Sequence, residues 1–184
     1  HHTTAIAIAW CESYLAREPR ALAAVRAEID AAPDRPDVIV KLPYLAAFCD
    51  EVLRLRPPVT DVVRPVRSDT VIGPWTVPQG SVVCVAINGV TSDPALYPEP
   101  HVFRPERFLE RRYSGAEHPV FGGGHRHCLG RTFAEYELRL VTAAIARAWD
   151  PSAVDNGPER TVRRNVTMAP ASGIPVRIRA RHRS

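Results

Sequence analysis

The sequence predicts a mainly α-helical fold with a small β-sheet and a C-terminal β-hairpin. Three observations carry that prediction. Apolar residues recur on a helical period through the first 55 residues and stop at Pro57 and Pro58. Short valine-rich runs cut by Gly, Pro and Asp then continue to residue 87. A long amphipathic stretch over 129–150 precedes a final segment in which apolar and basic residues alternate.

Residues 3 to about 16 are rich in Ala and Ile and set Trp10, Tyr14 and Leu15 on a helical period, so the chain is entered in mid-helix. Pro19 can open a second helix, which Ala21, Leu22, Val25, Ala27 and Ile29 carry to about Ala32, where PDRPD breaks it. Pro43 opens a third, with Leu45, Phe48, Val52 and Leu55 spaced i, i+3, i+4 up to the double proline. DVVRPV, DTVI, WTVP and SVVCVAI read as strands of a small sheet with tight turns. TSDPALYPEPHVFRPERF is too rich in proline for a regular element. LGRTFAEYELRLVTAAIARAWD then forms the long helix, with Phe133, Leu138, Val141, Ile145 and Trp149 among its apolar positions. RTVRRNVTMAP followed by SGIPVRIRAR forms the hairpin, with Val176, Ile178 and Ala180 half-buried and Arg177, Arg179 and Arg181 facing water.

A chain of 184 residues, 45% hydrophobic and 24% charged, has material for one soluble domain. Its longest apolar runs, AIAIAWC and VVCVAI, fall far short of the roughly 18 residues that span a bilayer, and nothing marks the N-terminus for secretion. The expected location is the cytoplasm. The net charge of +4 does not point to nucleic acid, because seven Arg and one Glu from Pro158 onward carry +6 and leave the first 157 residues at −2. No aromatics interleave with those arginines. Cysteines 11, 49, 84 and 128 form no CxxC pair, which argues against a disulfide framework or an all-cysteine zinc site. Cys11, Cys49 and Cys84 have apolar neighbours and read as small buried hydrophobes.

Cys128 differs. It stands in FGGGHRHCLGRTF, residues 121–133, immediately ahead of the long helix and beside Arg126. Helix N-termini and nearby cations favour a thiolate, which binds a soft or borderline metal. The glycines allow positive φ and let backbone approach a large planar cofactor. Two other readings remain open on these residues: a glycine turn with an incidental cysteine, and a zinc or copper site from His118, His125, His127 and Cys128. The second lacks the spaced ligand pairs of structural zinc.

FGGGHRHCLG resembles the haem-binding loop of the cytochromes P-450, F-x-x-G-x-R-x-C-x-G, at Phe121, Gly124, Arg126, Cys128 and Gly130. The resemblance implies Cys128 as axial thiolate of haem iron and Arg126 on a haem propionate, with Gly122, Leu129 and Ala134 completing the cradle. Glu51 and Arg54 in DEVLRLRPP match the family's ExxR helix, and Arg107 in FRPERF matches the arginine that joins the pair. Such a triad would latch the haem-binding core. Arg64 matches the second propionate-binding arginine, and Val62 and Val63 are candidate substrate contacts. HHTT resembles the end of the oxygen-activation motif: Thr3 takes the place of the proton-delivering threonine, and His2 stands where the family has an acid. A tag remnant is the other source of such a histidine pair.

The chain thus resembles the C-terminal part of the cytochrome P-450 fold over residues 1–184, a single partial domain without the family's N-terminal distal half. The implied cofactor is heme b (iron protoporphyrin IX). The implied activity is insertion of one oxygen atom from O2 into a small hydrophobic organic substrate such as a lipid, sterol, fatty acid or xenobiotic. Electrons would come from a ferredoxin or flavoprotein reductase, docked on a basic face around Arg111, Arg112, Arg126, Arg131 and Arg139. The alternative expectation is a truncated, catalytically inactive haem-binding fragment.

Overall fold

A computed structural model describes residues 2–155 and 157–181. Four helices come first: α1 (His2–Arg17), α2 (Pro19–Ala31), the single turn α3 (Pro36–Ile39) and α4 (Pro43–Leu55). Proline opens α2, α3 and α4, where its fixed φ suits the first turn and its missing N–H leaves no donor unmet. None of α2, α3 and α4 is capped by its own N-cap side chain, but α4 borrows a cap. The Glu28 carboxylate on α2 accepts from the amides of Tyr44 at 2.8 Å and Leu45 at 3.0 Å, so a charge on one helix caps the N-terminus of another.

The long helix α7 (Arg131–Ala148) packs beside α1, α2 and α4. Between them lie Trp10, Leu15, Val25, Ile29, Leu45, Phe48, Val52 and Leu138, all at most 2% exposed. Each aliphatic or Phe side chain so buried contributes roughly 1.5–3 kcal/mol. Arg26 reinforces the end of α7, donating to Ala146 O at 2.9 Å and Trp149 O at 2.6 Å and pairing with Asp150. Among the described residues no helix is long and apolar enough to cross a membrane.

Among the described residues the strands form four small two-stranded antiparallel sheets. β1 (Asp61–Pro65) pairs with β4 (Val82–Ala86), Asp61 opposite Ala86. The pairing extends through Val66 and Ser81, and the chain between them folds into a second hairpin, β2 (Thr70–Ile72) with β3 (Trp75–Val77). Ile87, read with the last strand, instead begins the short helix α5 (Ile87–Thr91). The proline-rich stretch holds one further turn of helix, α6 (Arg107–Glu110).

The C-terminal hairpin also differs from expectation. β6 (Thr161–Arg164) turns directly into β7 (Thr167–Pro170), whereas β8 (Val176–Ala180) runs back to β5 (Trp149–Ala153), which starts where α7 ends. Alternation identifies a strand but not its partner, and here the partner is about 30 residues away. Nor is β8 half-buried, since Ile178 is 55% exposed. Arg181 does not face water alone: it pairs with Asp30 on α2. Cys11 and Cys49 are buried as expected, but Cys84 is exposed on β4.

Candidate functional site

The cysteine loop is shaped by two glycines. A 3₁₀ turn over Pro119–Phe121 ends at Gly122, φ +71°, and a second over Gly124–Arg126 begins at Gly124, φ +58°. Both lie in the left-handed region that side chains with a Cβ avoid. A Cβ on Gly122 would also sit 3.4 Å from the Arg126 carbonyl. The amide of Cys128 donates to Phe121 O at 2.8 Å and closes the loop. Gly130 then caps α7, whose first amides stand just beyond the exposed Cys128.

Cys128 opens onto a cleft holding about 870 Å³ of empty space, part of it open to solvent. Thr3, Thr4 and Ala7 of α1 form one wall; Leu53, Val59, Val62 and Arg64 form another. Phe121, Gly122, Arg126, Ala134 and Leu138 complete it around Cys128. The lining is predominantly apolar, with two guanidinium groups and one thiol. Neither guanidinium is spoken for. Arg64 donates only to the Val63 carbonyl, at 2.8 Å, and Arg126 has no acidic partner among the described residues.

Of the residues singled out in the sequence, Thr3, Val62, Arg64, Phe121, Gly122, Arg126, Cys128 and Ala134 line this one cleft. Five expected residues do not line the cleft: His2, Val63, Gly124, Leu129 and Gly130. Val63 alternates with Val62 on β1 and is 59% exposed on the opposite face. Gly124 and Gly130 shape the loop and the start of the helix. Leu129 is fully exposed, and Phe133, one turn on, is 63% exposed, so two large apolar side chains stand bare where α7 begins.

These features fit a flat, largely apolar group with a metal at its centre and carboxylates at its edge. The thiol would supply a ligand to such a metal, and Arg64 and Arg126 would supply cations to such carboxylates. A Cβ built on Gly123, Gly124 or Gly130 would meet nothing within 4 Å, so the loop's glycines border open space. The zinc or copper alternative is overturned: among the described residues no three His, Cys, Asp or Glu side chains converge as a metal would require.

Beneath the cleft, Glu51 is fully buried with two arginines. Its carboxylate accepts from Arg54 Nε at 2.7 Å and Nη2 at 2.8 Å, from the Arg104 amide at 2.9 Å and from Arg107 Nε at 3.1 Å. One anion faces two cations, and backbone carbonyls take up the remaining donors. Arg54 Nη1 donates to Thr91 O and Pro100 O, and Arg107 Nη1 to Pro98 O. The triad thus pins the proline-rich segment 91–107 to α4.

An aromatic relay absent from the sequence reading extends this pin toward the cysteine loop. Tyr97, fully buried, lies under the Arg54 guanidinium and stacks on Tyr113 at 4.6 Å, and its hydroxyl donates to Glu117 O at 2.8 Å. A lone aromatic in the run ALYPEP was the signal available for it. Next in the chain, His118 packs edge-on against Phe108 at 5.0 Å, and its Nε2 is buried without a protein partner. Burial, with Arg131 and Arg54 nearby, pushes its pKa down to about 4. The proposed basic face is thinner than the sequence suggested. Arg111 pairs with Glu117, Arg131 with Glu135, and Arg139 donates to Val40 O.

Comparison with known proteins agrees with this geometry. The sequence model of the family described as Cytochrome P450 matches residues 1–175. Putative cytochrome P450 137 of Mycobacterium tuberculosis is 36% identical over 179 residues, which is 97% of this chain and 36% of that protein. Putative cytochrome P450 135B1 of Mycobacterium bovis is 37% identical over 181 residues, 98% of this chain and 38% of its own length. The crystal structure of retinoic acid-bound cyanobacterial CYP120A1 superposes with a TM-score of 0.90 at 29% identity, over 98% of this chain and 43% of that one. The chain therefore spans a little over a third of the length of the curated relatives it matches. On sequence, fold and the layout of the cleft together, the chain belongs to the cytochrome P450 family, whose prosthetic group is haem.

Proposed function

We propose that this chain is the haem-holding part of a monooxygenase that inserts one oxygen atom from O2 into a small hydrophobic organic molecule. The observation that carries the proposal is the convergence of Cys128, Arg64, Arg126 and Thr3 on a single apolar cleft. Haem, when bound, supplies the oxygen-activating redox chemistry. Cys128 would hold the iron as thiolate, and Arg64 and Arg126 would orient the group by its carboxylates. The Thr3 hydroxyl, exposed on the α1 wall, donates and accepts a proton at Oγ1 on the side of the cleft facing Cys128. His2 does not line that wall, and its role is to relay protons from solvent to Thr3. Ala7, Leu53, Val59 and Val62 exclude water and favour an apolar substrate.

Electrons come from a ferredoxin or flavoprotein. Arg112, exposed and with no acidic partner among the described residues, lies outside the cleft and forms the core of its docking face.

The test is spectroscopic. Haem-loaded protein reduced under carbon monoxide shows the long-wavelength Soret band of a thiolate-ligated carbonyl haem, and Cys128→Ala loses it together with substrate oxidation. Retention of that band by Cys128→Ala would overturn the proposal.

A further inference from the structure

The aromatic stack behind the cysteine loop has the parts of a proton-coupled redox pair. Tyr97 and Tyr113 lie with ring centroids 4.6 Å apart and planes 12° from parallel. Among the described residues no other ring contact joins two side chains that are both Tyr or Trp. Tyr97 is fully buried, whereas Tyr113 is half-buried and carries the exposed Arg111 guanidinium 4.2 Å from its ring centroid. The stack thus runs from the interior to the surface. Each cation against it has a carboxylate partner, Arg54 with Glu51 inside and Arg111 with Glu117 outside.

A buried phenol gives up an electron readily only if its proton can leave with it, because a charged ring in the interior is costly. The Tyr97 hydroxyl donates to Glu117 O at 2.8 Å, and His118 Nδ1 stands 3.5 Å from the same oxygen. The carbonyl cannot keep a proton, but an imidazole can. Burial keeps His118 neutral near pH 7, and in the tautomer protonated at Nε2 its Nδ1 lone pair is free for the phenol. The group adjoins the haem loop: His118 directly precedes the turn Pro119–Phe121, whose last carbonyl accepts from the Cys128 amide.

We propose that Tyr97, His118 and Tyr113 form an outlet that carries single oxidising equivalents from the cysteine-loop side of the protein to solvent. The source of those equivalents rests on the haem reading above; the redox pair itself does not. A one-electron oxidant takes an electron from Tyr97 while the phenolic proton passes to His118 Nδ1, leaving a neutral phenoxyl radical and an imidazolium. Tyr113 then returns an electron to Tyr97, the proton goes back from His118, and the Tyr113 phenol releases its own proton to water. Ascorbate restores Tyr113 by giving it a hydrogen atom. Each passage moves one electron from ascorbate to the oxidant and leaves one proton in water. With hydrogen peroxide consumed at the haem, two passages reduce one peroxide to two waters.

The experiment freezes haem-loaded protein after mixing with hydrogen peroxide. In parallel, the same protein is photo-oxidised with ruthenium(III) tris-bipyridine, a one-electron oxidant that needs no haem. High-field electron paramagnetic resonance reads the tyrosyl radical, whose largest g value falls when a cation bonds the phenoxyl oxygen. The parent should show a tyrosyl component with that lowered g value. Tyr97→Phe, which keeps the stacked ring, should lose it, and His118→Gln should return any remaining radical to the g value of an uncharged surrounding. Tyr113→Phe should retain the radical and lose its quenching by ascorbate. The carbon monoxide band of each sample reports the haem site separately, and the ruthenium arm gives its answer whether or not that band is seen. A parent without the lowered g value under either oxidant, the same signal in Tyr97→Phe, a g value that His118→Gln leaves alone, or equal quenching with and without the Tyr113 hydroxyl would each overturn the proposal.

Discussion

Replacing Glu51 by Gln preserves shape and removes one charge, and the structure allows the consequence to be worked out. Oε1 accepts three bonds and Oε2 one, from the Nε of Arg54. An amide nitrogen at the Oε2 position turns that last contact into a donor facing a donor. It also leaves two guanidinium groups, both at most 1% exposed, with no counter-charge within reach. Breaking a buried pair costs about 3–5 kcal/mol, a large share of the roughly 5–15 kcal/mol that holds a domain folded. With a urea m-value near 2 kcal/mol/M, the midpoint should fall by about 2 M. The control is Glu110→Gln, whose partner Arg104 is 38% exposed and which is itself 57% exposed, so its loss should cost less than about 1 kcal/mol. Urea unfolding of the haem-free protein, followed by far-ultraviolet circular dichroism, measures both. Equal midpoints for the two variants would refute the view that Glu51 is the electrostatic keystone of segment 91–107.

Further outcomes follow from the loop and from two buried acid–base groups. Gly122→Ala forces a Cβ onto φ +71° and against Arg126 O, which should cost about 1–2 kcal/mol and weaken haem retention. Gly123→Ala, at φ −161° with nothing within 4 Å, should do neither, and haem titration distinguishes them. His118 is protonated in the unfolded chain below about pH 6.5 but in the folded protein only below about pH 4. Stability should therefore fall by roughly 2–3 kcal/mol as pH drops through that window, and His118→Gln should flatten the profile. Burial raises the Glu12 pKa to about 8, which gives the opposite slope: stability is lost as pH rises from about 4.5 to 8. Glu12→Gln should stabilise the protein by roughly 1–3 kcal/mol at pH 8 and leave it unchanged at pH 4, as thermal unfolding at the two pH values will show.

The sequence made the four long helices legible because each carries apolar residues on a helical period and two begin at a proline, whereas the single turn at Pro36 was hidden in a stretch that reads as a break. It made the haem loop legible because Gly124, Arg126, Cys128 and Gly130 have few other reasons to occur at that spacing. Glu51, Arg54 and Arg107 were readable as types and positions, and their contacts needed the fold to bring residues 51 and 107 together. What stayed hidden was non-local. Nothing in SGIPVRIRAR says that its partner is WDPSA rather than the adjacent run, because strand pairing is chosen by packing. The role of Tyr97 depends on Arg54 above it and Tyr113 beside it. The exposure of Cys84 depends on which face of a two-stranded ribbon is left open. The alternation of Val62 and Val63 limited the substrate wall to one of the two, and only the direction of β1 decided which.

The contact between Arg181 and Asp30 spans 151 residues of chain. During synthesis α2 emerges long before its tether does, and the Asp30 contact with Arg181 can form only once the segment around residue 181 has cleared the ribosome. Helices α1, α2 and α4 can collapse on one another early, but the strand β8 that pairs with β5 is made well after them. A nascent chain halted before that point would leave the β5 edge unpaired, the kind of backbone edge on which other strands can add.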